Sequence, residues 1–191
     1  MQCVLREKLS KQTQLLMKIS NIYQSEGHRF VAAYFDWLNE AEKDLSGLRS
    51  PISGLLQAEK SSLISILDGY IPDHIQPTKS LRKIQKAATA QSLEKISKEF
   101  FSKIRDIDAN FEQLNEKMCH AIAIIASKYP DTYEKLQLNQ QGVDMIWALL
   151  ANTPETLPMY NYFCAKLTSV DINYLLMDII QKIISNRSTS D

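Results

Sequence analysis

LEKISKEFFSKIRDIDANFEQLNEKMCHAIAII, residues 93 to 125, repeats its apolar residues at alternating intervals of four and three. A heptad frame puts Leu93, Phe100, Ile107, Leu114 and Ala121 at d, and Ser97, Ile104, Phe111, Met118 and Ile125 at a. Ser97 is the single polar member of that seam. A 3.5-residue spacing sustained over more than four heptads predicts a long helix in coiled-coil-like contact with its neighbours. Upstream, Leu81, Ile84 and Ala88 fall out of this frame, so the spacing predicts a kink, stutter or division around Thr89 to Ser92. If continuous from Ser80 to Tyr129, the helix is about 75 Å long.

The rest of the chain reads the same way. Leu5, Leu9, Gln12, Leu16, Ile19 and Tyr23 form one 4-3 seam with a polar layer at Gln12. Gly27 interrupts it, and the phase restarts at Val31, Tyr34, Leu38, Ala41, Leu45 and Leu48. Two collinear pieces would span about 70 Å. Ser50-Pro51 is an N-cap followed by a proline at the first helical position, opening a third helix to about Tyr70 with Glu59 on its seam. Pro72 and Pro77 then mark a loop. Beyond Pro130, shorter helices are predicted over about 131 to 138, 141 to 152, 156 to 167 and 170 to 185, the last with Ile172, Leu175, Leu176, Ile179, Ile180 and Ile183 on a wide apolar face. No period-2 alternation competes with these helices. The expected fold is all-α: an elongated bundle or hairpin over 1 to 130, built around the long central helix, and a compact helical region over 131 to 191 packed on its end.

Composition narrows function without naming one. The 191 residues carry 22 basic and 22 acidic side chains, with a mean hydropathy of -0.24. This balance argues against a global field for nucleic acid, and no specific nucleic-acid binding is expected. Three well-separated cysteines and no apolar leader segment point to a reducing, cytoplasmic setting.

Several features carry candidate chemistry. Cys119 lies beside His120, with Glu116 and Glu112 one and two turns behind the imidazole. These residues fall outside the a/d seam, and His28 and His74 do not complete a ligand spacing, so no metal, cofactor or catalytic residue is predicted. Lys79, Arg82, Lys83 and Lys86 recur at helical spacing without an acid among them, a patch suited to an anionic partner or membrane surface. The plainer reading pairs that patch with the stripe Asp36, Glu40 and Asp44. Gln12, Glu59 and Ser97 interrupt apolar seams and act as register devices or as the lining of a core pocket. Tyr160, Tyr162 and Phe163 are candidate partner-contact aromatics.

The reading that follows is a non-enzymatic interaction, scaffold or regulatory protein that binds another protein or itself through helix faces. The alternative is a peripheral membrane or pore-related protein using the basic segment. Less favoured is a small-ligand sensor or enzyme built in the bundle core.

Overall fold

The computed structural model describes residues 1–25, 29–48, 50–70, 80–134 and 136–188. Among these the secondary structure is helical throughout: α1 (Gln2–Ser25), α2 (Phe30–Leu45), a 3-10 turn (Ser46–Leu48), α3 (Pro51–Leu67), α4 (Leu81–Lys128), α5 (Pro130–Glu134), α6 (Gln140–Asn152), α7 (Leu157–Lys166) and α8 (Ser169–Ser188). The chain separates into two compact units, Val4–Asp106 and Met1–Cys3 with Ile107–Asp191. The boundary between these units falls inside α4.

In the unit Val4–Asp106, most of the predicted seam residues become the core, whereas Tyr23 is 40% exposed and Val31 and Leu48 are half-buried. Leu9, Leu16, Tyr34, Leu38, Leu45, Leu56 and Leu63 are all buried. The chain of rings Tyr23, Phe30, Tyr34, Trp37 and Phe100 joins three helices, with successive centroids 5.0 to 6.3 Å apart. Phe30 and Trp37, absent from the predicted seam, are buried with it.

Contacts along the chain set the topology. Lys8 Nζ is 3.0 Å from Asp44 Oδ1, and Trp37 Nε1 donates to Gln12 Oε1 at 2.9 Å. The start of α1 thus meets the end of α2, which only an antiparallel pair allows. The two helices fold back on each other rather than running collinearly, because burying both apolar stripes against one another removes more surface from water than leaving them end to end. Lys60 with Glu42 and Ser53 with Leu45 show the same pattern for α3 on α2. Tyr34 with Ser92 and Trp37 with Phe100 run α4 parallel to α2. The result is an up-down-up-down arrangement.

The helix ends follow local chemistry. Ser50 Oγ accepts from the Ile52 N–H at 3.3 Å, as its place before Pro51 predicts. α3 ends at Leu67, three residues short of the predicted Tyr70. Gly69 adopts φ 98°, Tyr70 N–H donates to Ser65 O at 2.9 Å and Gly69 N–H to Ile66 O at 3.2 Å. This is the paired 6→1 and 5→2 bonding that a left-handed residue permits after a helix. Gly27, Pro72 and Pro77 lie outside the described residues.

α4 is one helix, neither divided nor interrupted at Thr89 to Ser92. Its buried stripe there is Ile84, Ala88, Ser92, Ile96 and Phe100, at intervals of four. Leu93, Ser97 and Ile104, assigned to the heptad seam, are only half-buried, and Ile96 replaces them in the core. A four-residue step exceeds the 3.6-residue turn, so the stripe winds around the helix, which is the stutter alternative. From Ile107 through Phe111, Leu114, Met118, Ala121 and Ile125 the heptad seam is buried as predicted.

In the unit Met1–Cys3 with Ile107–Asp191, this part of α4 packs with the C-terminal helices through Phe111 on Tyr174 and through a Lys117 ammonium 4.5 Å from the Tyr162 ring centre. α6 packs against both α7 and α8. Ile172, Leu175, Leu176, Ile179 and Ile180 are buried, and Ile183 is half-buried, so the wide apolar face of α8 is present as expected.

Candidate functional site

Three helices of the C-terminal unit wall an open cleft of about 580 Å³. α6 is started by Asn139, whose Oδ1 accepts the Gly142 N–H at 2.9 Å. Gly142 is required there. A Cβ at this position would overlap the carbonyl oxygen of Gln137, so only hydrogen fits between the first turn and the chain before it. Val143, Ile146 and Leu150 then point into the core at helical spacing, leaving Asp144 and Trp147, one turn apart, on the cleft side. The corner Thr153-Pro154-Glu155-Thr156 ends α6 and starts α7. Thr156 is buried and donates its hydroxyl to Leu150 O at 2.9 Å.

α7 contributes Cys164, and Leu167 follows its last turn. α8 contributes Val170, Ile172 and Asn173. Its start is held by Thr168, whose Oγ1 accepts the Asp171 N–H at 3.3 Å and donates to Asp171 Oδ2 at 2.7 Å. The sequence carries this as Thr-Ser-Val-Asp, the spacing of a capping box with Asp at the third helical position. Asp171 also accepts from the Met1 ammonium at 2.6 Å and the Cys3 N–H at 2.9 Å. Burial works against its charge, but these donors outweigh it and hold the carboxyl well below the usual carboxylate range.

The cleft is apolar in its floor and acidic at its edge. Val143, Leu167 and Ile172 are buried, and Val170 on the rim is 46% exposed. The Trp147 ring packs against Tyr160, centroids 4.6 Å apart and the planes tilted by 43°. The Tyr160 phenol is raised by its hydrogen bond with Cys164 and by the charge that sulfur carries as a thiolate. Asp144 accepts one hydrogen bond from Gln140 Nε2, at 2.8 Å. Asn173 Oδ1 is buried without a hydrogen-bond partner. Asp144, Trp147 and Asn173 were not singled out by sequence reading, because only the packing of three helices brings them together.

The predicted site residues fare differently. Phe163 is 0% exposed and packs in the core, so it is corrected from a partner contact to a structural residue: it faces inward at the position where α7 meets its neighbours. Tyr160 and Tyr162 are half-buried, the first on Trp147 and the second under Lys117. Of the basic patch, Lys79 lies outside the described residues. Lys86 Nζ sits 4.1 Å over the Tyr23 ring, and Arg82 and Lys83 are exposed. Asp44, one of the acids offered as a partner for this patch, is engaged instead by Gln12 and Lys8.

Cys119, His120, Glu112 and Glu116 occupy the exposed side of α4. Burial pushes the Cys119 thiol up, against the pull of Lys182, which lowers its thiolate fraction. Among the described residues no group of three or more His, Cys, Asp and Glu is placed to hold a metal. His28 and His74 lie outside them.

Two of the seam polars pair with groups of neighbouring helices. Gln12 bridges Trp37 and Asp44, and Glu59 pairs with Lys95 at 2.6 Å. No described helix is long and apolar enough to cross a membrane.

Fold and cleft together define an all-α chain of bundled helices with a helix-walled cleft in its C-terminal unit. No protein-family model matches the chain, and comparison with curated proteins and with solved structures finds no match either.

Proposed function

We propose that the protein is a non-enzymatic interaction protein that receives a segment of a partner protein in the cleft between α6, α7 and α8. The observation that carries this reading is the cleft itself: about 580 Å³, floored by Val143, Leu167 and Ile172 and edged by Trp147 and Asp144. An apolar floor with a few converging polar groups is the general form of a binding site. Its openness favours a chain laid across it over a small molecule, which needs enclosure on most sides to lose enough surface to water.

A photo-crosslinking amino acid at Val170, on the exposed rim, tests this in the cells the chain comes from. The expected result is a discrete protein adduct that Trp147→Ala abolishes. Absence of an adduct at Val170, with one formed instead from the same group at Arg82, overturns the cleft in favour of the basic face of α4.

A further inference from the structure

We infer that the cleft selects a basic side chain, and that its partner is an amphipathic segment presenting Lys or Arg beside an apolar residue. This deepens the docking reading above and rests on it. Among the described residues that line the cleft Asp144 is the one carboxylate, and no Lys, Arg or His is among them. Trp147 stands one turn from Asp144 on the same helix, so a cation seated over the indole face also lies within reach of the carboxylate. Tyr160 packs, tilted, against the indole that would receive it.

Asp144 has acceptor capacity left after its bond from Gln140, since a carboxylate accepts several donors. Asn173, on α8, adds a buried oxygen without a donor among the residues that line the cleft. Both are acceptors, which suits a guanidinium or ammonium, rich in donors and lacking acceptors.

One feature favours the opposite charge. The first turn of α8 lines the cleft through Ser169 and Val170, and a helix N-terminus attracts anions. Here that turn already carries the Thr168 cap and the Asp171 carboxylate, which is paired with the Met1 ammonium, so this end is occupied and adds no net charge, and Asp144 is left as the uncompensated one. The last turn of α7, which supplies Cys164, presents the negative end of its dipole to the same space. Lys166 in that turn does not line the cleft. The balance of fixed charge is therefore negative.

Three synthetic amphipathic helical peptides of equal length, with Leu on one face and Lys, Gln or Glu on the other, separate the possibilities. They are titrated into the full-length 15N-labelled protein, and amide shifts report both site and affinity. The Leu/Lys peptide should perturb amides of Val143 to Trp147 and Val170 to Asn173, binding about tenfold more tightly than Leu/Gln, with Leu/Glu weakest. Asp144→Asn and Trp147→Leu should each weaken the Leu/Lys peptide about three- to tenfold, with the spectrum otherwise unchanged. Glu155→Gln, which removes an equal charge outside the cleft, should leave the affinity unaltered. Equal binding of Leu/Lys and Leu/Gln in the cleft overturns the selection of a basic side chain while the docking reading stands. An equal loss from Glu155→Gln also overturns it, by making the effect one of net charge. Perturbations confined to other surfaces overturn both.

Discussion

Asp171 and Gln12 illustrate how single polar residues organise the two apolar cores. Asp171 gathers the Met1 ammonium, the Cys3 N–H and the Thr168 hydroxyl onto one buried carboxylate. Replacing it with Ala removes hydrogen bonds to a charged group and should cost about 2 to 3 kcal/mol in denaturant unfolding. The pH dependence has a definite sign. Its folded value lies below the ordinary 3.8, so the stability it adds is complete above about pH 5 and is lost as the pH falls through the folded value. Asp171→Ala should therefore flatten the acid limb of a stability profile between about pH 5 and pH 2. Gln12 is 2% exposed, with both ends of its amide used. Gln12→Leu leaves the buried Trp37 N–H without its acceptor and should destabilise by about 1 to 3 kcal/mol, despite adding an apolar residue to an apolar seam. Equal or higher stability in that variant would show that water or another group replaces the amide. The polar step at Gln12 was legible in the spacing of α1. The two partners that give it meaning come from α2 and could not be read from one helix.

At the scale of the element, glycine and cap chemistry decide where helices begin and end. Gly142→Ala puts a methyl into the Gln137 carbonyl oxygen at the first turn of α6, and backbone cannot rotate away as a side chain would. A loss of about 2 to 3 kcal/mol, seen as a lower thermal midpoint, is expected. Gly69→Ala meets no neighbour within 4 Å, so its cost is conformational alone, about 1 kcal/mol for a left-handed residue. The two substitutions thus separate a steric requirement from a dihedral one. Ser50-Pro51 announced the start of α3 without ambiguity, because a cap acts within four residues. The path of the buried stripe along α4 was less accessible. A heptad frame and a four-residue step share Phe100, and the sequence from Leu93 to Ile104 offers apolar residues to both. Ile96 entered the core, and Leu93 and Ile104 stayed at its edge, because the neighbouring helices lie on that side.

For the whole molecule, stability should rest on apolar burial rather than on surface charge. Lys98 with Glu94, Lys128 with Glu155 and Lys182 with Asp178 are exposed pairs, each of which contributes little and is screened by salt. Raising the salt to 1 M should shift unfolding free energy through these pairs by no more than about 1 kcal/mol in total. The basic face of α4 bears on membranes. Among its described residues Arg82 and Lys83 are exposed and Lys86 is held over Tyr23, and each basic side chain beside an anionic surface adds only about 1 kcal/mol. Co-sedimentation with anionic vesicles should stay at background level, and reversing both charges should not change it. Vesicle binding that Arg82→Glu with Lys83→Glu abolishes would restore the membrane alternative.

The sequence by itself determined that this chain is helical, where most helices stop, and which residues of α1, α3, the later part of α4 and α8 face a core. These properties depend on neighbours within a turn or two: apolar spacing, capping side chains, proline and glycine. Tertiary structure alone decided that α1 folds back on α2, that Phe163 is buried while Val170 is exposed, and that Asp144, Trp147, Cys164 and Asn173 share one cleft. Each of those outcomes depends on which helix faces are laid together, and apolar burial, being non-directional, does not encode its partner in the pattern of either face.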